Sequence, residues 1–346
     1  MSKTVVPQVP LDVGRSFRKS TRYTSVFDRA GLVALAVLTI WPLLNGGWRT
    51  SGLVIACVGA FTFSRLQSSN NSWIIPAFLV FGLAMVAFID LGGLLSDEAG
   101  RGPFGYSNAK AAMFVQGSAA AVMLAMAAGS TMVRRLALGV AFAFAIVPLV
   151  SGSVMASLTL AFVVGSFVLP RRWARHAVTS FGVLFVVALI ATTAVGIAGA
   201  APGVPNDDRR VTLWGEAVDI LAENPVRGGG AFSETSATAA SDADASWAHN
   251  EFLQLGSEYG ILALAAAVFL VLWLFVRLRR ATVMSTLALG GAAAVAALAV
   301  HACFDYVGHF ALIPMVCAAL VGTAVGAAES RVTGTRVVRP LHSTPI

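Results

Sequence analysis

Ten apolar runs divide the chain, at about 31–45, 51–64, 73–92, 109–128, 133–150, 153–169, 178–197, 258–276, 282–302 and 308–327. A helix needs about 20 apolar residues to cross roughly 30 Å of hydrocarbon, and most of these runs approach that length. The pattern predicts an all-α, polytopic integral membrane protein with about ten transmembrane helices and one large extracytoplasmic loop. The second run is short, so 31–64 also reads as a tight re-entrant pair. The longest polar break, 198–257, spans about 60 residues, and a loop of that length usually signals function. Inside it Arg210, Trp214, Ala217 and Leu221 keep the 3.6-residue period, which predicts a helix over 208–223. Asn224-Pro225 ends that helix, Gly228-Gly229-Gly230 predicts a flexible turn, and the Ser/Ala/Asp tract 235–246 reads as mobile. The next helix is expected to begin ahead of its apolar run, because Glu251, Gln254 and Glu258 share one face. The chain then divides into a basic segment 1–30, a membrane domain 31–327 holding the loop 198–257, and a tail 328–346.

Charge gives these spans a direction. With the N-terminus in the cytoplasm and ten crossings, 18 of the 24 Lys and Arg lie inside, and 14 of the 17 acidic residues lie outside or near outer helix ends. The inverted arrangement would place the basic clusters on the wrong side. Both termini are therefore expected in the cytoplasm. The formal charge of +7 is spent on this asymmetry rather than on nucleic acid. Only 12% of residues are charged, 57% are hydrophobic, and the mean hydropathy is +0.78. The Gly and Ala content suits helices packed through small residues. No cleavable signal peptide is expected, since the first 30 residues are polar and basic and no cleavage site follows the first run. Cys57, Cys303 and Cys317 lack CxxC spacing and read as small hydrophobes.

The outer side keeps six basic residues: Arg49, Arg101, Lys110, Arg209, Arg210 and Arg227. Arg49 reads equally well as an interface anchor. Arg209, Arg210 and Arg227 flank the loop helix beside the glycine triplet, whose amides could cradle an anion. Arginine forks suit diphosphate oxygens. His249 opens the stretch WAHNEFLQLGSEYG, while HACFDYVGH carries His301, Asp305 and His309 at four-residue spacing, as if on one helical face. A histidine can act as a base near neutral pH when a carboxylate orients it, and Glu251 and Asp305 are the candidates for that support. His249 also reads as an ordinary helix-start residue. Zinc would need His249 to converge with the late histidines across loops, so a polar network lining a cleft is the expectation, with no metal and no cofactor.

DDRRVTLWGEAVDILAENPVRGGGAF followed by WAHNEFLQLGSEYGILAL resembles the long outer loop of the O-antigen ligase and polymerase superfamily. The likeness rests on Arg210 and Trp214, then Pro225, Gly228 and Gly230, then His249, Asn250, Phe252, Leu253, Glu258 and Gly260. RGPFGYSNAKAAMF, with Gly102, Phe104 and Asn108, and HACFDY, with His301 and Asp305, resemble its flanking segments. The resemblance covers roughly residues 95–325. It implies a metal-independent, inverting membrane glycosyltransferase on the extracytoplasmic face of a bacterial inner (cytoplasmic) membrane. The donor would be a polyprenyl-diphosphate-linked glycan (undecaprenyl diphosphate as its lipid) and the acceptor a hydroxyl on a glycan, lipid or protein. His249 and Arg210 would be catalytic. Arg209, Arg227, Arg101, Lys110, Trp214, Asn250, Glu251, His301 and Asp305 would bind substrate. Ligase and repeat-unit polymerase differ only in acceptor, and a transporter of lipid-linked glycan would also need outer arginines. Ser151-Gly152-Ser153 stands where many relatives carry Ser-Arg, which leaves Arg101, Lys110 or Arg49 to substitute, or the donor to be handled differently, or activity lost.

Overall fold

The computed structural model describes residues 13–69, 71–89, 106–199, 209–238 and 246–337, and their regular structure is helical with no strand. Each apolar run falls on one helix: α1 (Val13–Leu44), α2 (Trp48–Ser68), α3 (Ile74–Ile89), α4 (Ser107–Ala127), α5 (Thr131–Val150), α6 (Val154–Val168) and α7 (Ala174–Gly199). After the segment that carries α8 (Arg209–Glu223) and the short α9 (Phe232–Thr235) come α10 (Glu251–Ala281), α11 (Leu287–Ala302) and α12 (Leu312–Val337). Among the described residues five helices are long and apolar enough to cross a membrane, namely α4, α5, α7 with its preceding turn, α10 and α12. Helices α3, α6 and α11 are apolar but shorter. The run 31–64 forms two helices joined by a turn at Asn45–Gly47, closed by Asn45 N–H and Gly47 N–H donating to the Pro42 carbonyl.

Helix α4 is the axis of the bundle. It is apolar or small on every side, the pattern of a helix surrounded by protein, and 89% of its apolar window is buried, against 22% in α5 and α10. Beside it runs α11, where Gly290 meets the Met123 side chain and Gln116 Nε2 donates to the Ala294 carbonyl at 3.0 Å. The outer helices turn large apolar side chains away from the protein, among them Phe142, Ile146 and Leu149 of α5 and Val187 and Ile190 of α7. An exterior of this kind is foreign to a water-soluble monomer.

Small residues set the closest helix pair. Gly322 and Gly326, one turn apart on α12, lie against the Phe61 and Arg65 carbonyls of α2, and a Cβ at either glycine would be driven into a carbonyl oxygen. This is the small-xxx-small approach of helices whose backbones touch. At the same end of the bundle Arg65 grips the Glu329 carboxylate at 2.8 and 2.9 Å. Arg277 bonds the same carboxylate at 2.9 Å and pairs with Asp28, so α1, α2, α10 and α12 are tied together.

Helix α10 begins at Glu251, seven residues before its apolar run, and is broken at Gly260, which has φ 80° and ψ −178°. The break frees the Ser257, Glu258 and Tyr259 carbonyls and the Ile261 N–H. Each finds a partner elsewhere. Gly229 N–H donates to Ser257 O at 2.7 Å, Gly230 N–H to Glu258 O at 3.4 Å, and Trp41 Nε1 to Tyr259 O at 2.8 Å. Ile261 N–H in turn donates to Pro225 O at 2.8 Å. Buried backbone groups must be paired somewhere, and here the loop replaces the helix.

Candidate functional site

The polar end of α10 is organised by Asn250. Its side-chain oxygen accepts from Phe252 N–H and Leu253 N–H at 3.1 and 3.0 Å, the geometry of an N-cap. Its amide donates to the Cys303 carbonyl at 2.7 Å, which fastens the start of α10 to the end of α11. His249, the residue before the cap, is the non-glycine residue with positive φ among those described, at 51°. That backbone costs about 1–3 kcal/mol and persists only where its surroundings enforce it. One such restraint is Trp214 Nε1, which donates to the His249 carbonyl at 3.2 Å. Trp214 is itself buried with Leu213, Ala217, Phe232, Ala248 and Leu253 in a small core beneath the loop.

The imidazole meets Asp305 in the turn after α11, with Nδ1 3.3 Å from Oδ1. Asp305 collects several further donors. Tyr106 Oη donates to its two oxygens at 3.0 and 2.8 Å, Asn108 Nδ2 to Oδ2 at 2.7 Å, and Tyr306 N–H to Oδ1 at 2.9 Å. Burial pushes the Asp305 carboxyl up, but the bonds from His249, Tyr106 and the Tyr306 amide outweigh it and hold the group below the usual carboxylate range. Burial and the Asp305 charge together push the Tyr106 phenol up, so it stays a donor. His249 meets this carboxylate through Nδ1, which leaves Nε2 on the far edge of the imidazole.

Around the pair stands an aromatic wall. Trp247 stacks on Tyr306 at 5.6 Å and Tyr306 on Tyr106 at 4.9 Å, while the His249 ring is edge-on to Tyr306 at 4.8 Å. A second His–carboxylate contact lies alongside, with His309 Nδ1 3.1 Å from Glu251. Gln254 and Glu258 hold the loop from below, Gln254 accepting from Ala248 N–H at 3.1 Å and Glu258 from Phe232 N–H at 3.1 Å.

Several sequence expectations change here. His301, Asp305 and His309 do not share a helical face, because α11 stops at Ala302: His301 is buried on the helix, Asp305 sits in the turn and His309 ends a 3-10 turn. The carboxylate beside His249 is Asp305, and Glu251 serves His309 instead. The glycine triplet is no anion cradle, since the Gly228, Gly229 and Gly230 amides donate to the Asn224, Ser257 and Glu258 carbonyls. Trp214, Asn250 and His301, expected to bind substrate, are 7%, 0% and 1% exposed; Trp214 and Asn250 brace the His249 backbone and the start of α10, and His301 Nε2 finds no hydrogen-bond partner among the described residues. The tract 235–246 is fastened at its start, where Glu216 accepts from Ser236, from the Thr238 hydroxyl and from Thr238 N–H.

Arg210 lies half-buried on the first turn of α8, the helix whose Trp214 bonds the His249 carbonyl. Arg209 is exposed beside it, Arg227 is exposed on the turn over Gly260, and Lys110 lies on the first turn of α4. Arg101 falls outside the described residues. Gly152 has φ 70° in the tight turn between α5 and α6, so an arginine there would require a different turn. Tyr106, Trp247 and Tyr306 were missed as site residues, and the only sequence signal was their nearness to Asn108, His249 and Asp305.

Among the described residues no three His, Cys, Asp or Glu side chains converge to hold a metal ion. The arrangement offers a proton acceptor at His249 Nε2, a carboxylate behind it and an arginine nearby. Compared with protein-family models the chain matches none, and no curated protein matches it.

Proposed function

We propose that the chain is a membrane glycosyltransferase of the O-antigen ligase type, moving a glycan from a polyprenyl-diphosphate carrier to an acceptor hydroxyl on the extracytoplasmic face. The observation that carries this reading is the His249–Asp305 pair, with His249 in a strained backbone and Nε2 directed away from the carboxylate. His249 Nε2 takes the acceptor proton as the oxygen attacks the anomeric carbon. The bond to the diphosphate breaks, its electron pair leaves on the phosphate oxygen, and the configuration inverts. Arg210 stabilises that leaving charge, with Arg209, Arg227 and Lys110 nearby on the same end. Nothing in this step calls for a nucleotide, because the diphosphate linkage already activates the sugar.

Two further observations support it. A side-opening apolar groove of about 350 Å³ runs between α7 and α10, past Leu189, Ile261, Leu264, Val268 and Leu272. It starts at Ile261, whose amide is tied to Pro225, so a lipid chain in it would end beside the turn that carries Arg227. The other support is the separation of chemistry from basic ends. The Arg65–Glu329–Arg277–Asp28 network closes the end opposite the histidines and keeps those basic groups away from the proposed chemistry.

Mass spectrometry of lipid-linked and transferred glycans tests the reading, comparing cells with the wild-type chain and with His249→Ala at matched protein level. A general base is worth about 10²–10⁴-fold, so transferred glycan should fall below detection. Accumulated long lipid-linked chains identify a ligase, and accumulated single repeat units a polymerase. Unchanged glycans would remove His249 from catalysis and favour transport.

A further inference from the structure

Asp305 sits in a turn, beyond the end of α11, so no helix of its own fixes its side chain. Of the contacts to its carboxylate, the one from His249 is the longest at 3.3 Å, while those from Asn108 and Tyr106 are 2.7 and 2.8 Å. Asn108 also donates to Tyr106 Oη at 2.9 Å, which closes a triangle of hydrogen bonds on Oδ2. Tyr106 is extended just ahead of α4 and Asn108 lies on its first turn, and α4 is the most enclosed of the five long apolar helices among the described residues. The carboxylate is therefore oriented chiefly by its shorter bonds from the start of α4.

We infer that Tyr106 and Asn108 are positioning residues for the His249–Asp305 pair: from the start of α4 they orient the Asp305 carboxylate so that His249 keeps its proton on Nδ1 and offers Nε2 to the substrate. This rests on the reading of His249 as a base. Neither residue is asked to touch substrate. The charged or titratable groups facing Asp305 are His249 ahead of α10, Tyr106 ahead of α4, Tyr306 in its own turn and His301 of α11, with Arg210 of α8 acting on His301. Without Tyr106 Oη or Asn108 Nδ2 the carboxylate can rotate and is protonated more readily, and the imidazole loses its fixed tautomer.

The experiment uses the full chain in lipid nanodiscs, with histidine labelled in 15N and the His249 resonances assigned by their loss in His249→Gln. In the wild type Nδ1 should be the protonated nitrogen. Tyr106→Phe, which keeps the ring stack, and Asn108→Ala should each give mixed tautomers. In transfer assays the same variants should lose roughly ten- to hundredfold in kcat. KM for the donor should hold, and the acid limb of the pH profile should move. Asn108→Ser, which keeps a donor, should recover part of the loss. If Tyr106→Phe fails to fold, the Asn108 pair decides. A wild-type tautomer in both Tyr106→Phe and Asn108→Ala would overturn the proposal, as would activity loss with an unmoved pH profile. A wild-type protein that transfers nothing, yet shows the tautomer change in the variants, would instead refute the glycosyltransferase reading alone.

Discussion

His309 and Glu251 show how one residue pair couples the site to pH. Burial lowers the His309 pKa, but the Glu251 charge and hydrogen bond, with Glu258 behind, outweigh it and raise the value above the ordinary 6.5. A raised folded-state pKa means the pair contributes fully below about 6.5. That contribution is lost as pH rises through the folded value. The side chains are 28% and 26% exposed, so the gain is at most about 1 kcal/mol. We expect the melting temperature of the wild type to exceed that of His309→Gln at pH 6 and the two to converge by pH 9. A constant difference across that range would show the contact to be packing alone. His309 was visible in the sequence, but its partner was not, because Glu251 is 58 residues away and only the turn after α11 brings them together.

At the scale of the element, Gly260 matters most. Its φ of 80° is a region that L side chains resist, and a Cβ there would meet the Val226 and Pro225 carbonyls. Gly260→Ala should therefore cost about 3 kcal/mol, read as a lower melting temperature in detergent. Because Gly229, Gly230 and Pro225 exchange hydrogen bonds with the broken helix, the same substitution should also loosen the loop and reduce transfer. An unchanged melting temperature would mean that the break is not needed. The loop helix and its stop at Asn224-Pro225 were legible from periodicity and turn chemistry. The break was not, since a glycine in an apolar helix reads as a tolerated small residue until a second backbone lies against it.

For the whole molecule, assembly depends on α12 lying directly on α2. Gly322→Leu or Gly326→Leu would force the Phe61 and Arg65 backbone away and misalign the Arg65–Glu329 pair. Either change should reduce the folded yield and abolish the single-species elution of the purified protein, whereas Gly59→Ala, with open space around that glycine, should not. Normal yield and elution for both leucine variants would show that the close approach is dispensable. The site is the meeting point of four segments: the start of α4, the first turn of α8, the start of α10 and the turn after α11. Their arrangement follows from how the helices stack rather than from any one of them.

Helix positions were determined by the sequence alone, because an apolar run of sufficient length has few other ways to satisfy its backbone. The loop helix at 209–223 was likewise written in period. Tertiary structure decided which carboxylate faces His249, why the glycine triplet is a zipper to α10 rather than an anion site, and that Tyr106 belongs with Asp305, 199 residues away. Those facts depend on distances between segments remote in the chain. Periodicity reports only which face of a helix is apolar, not what will lie against it.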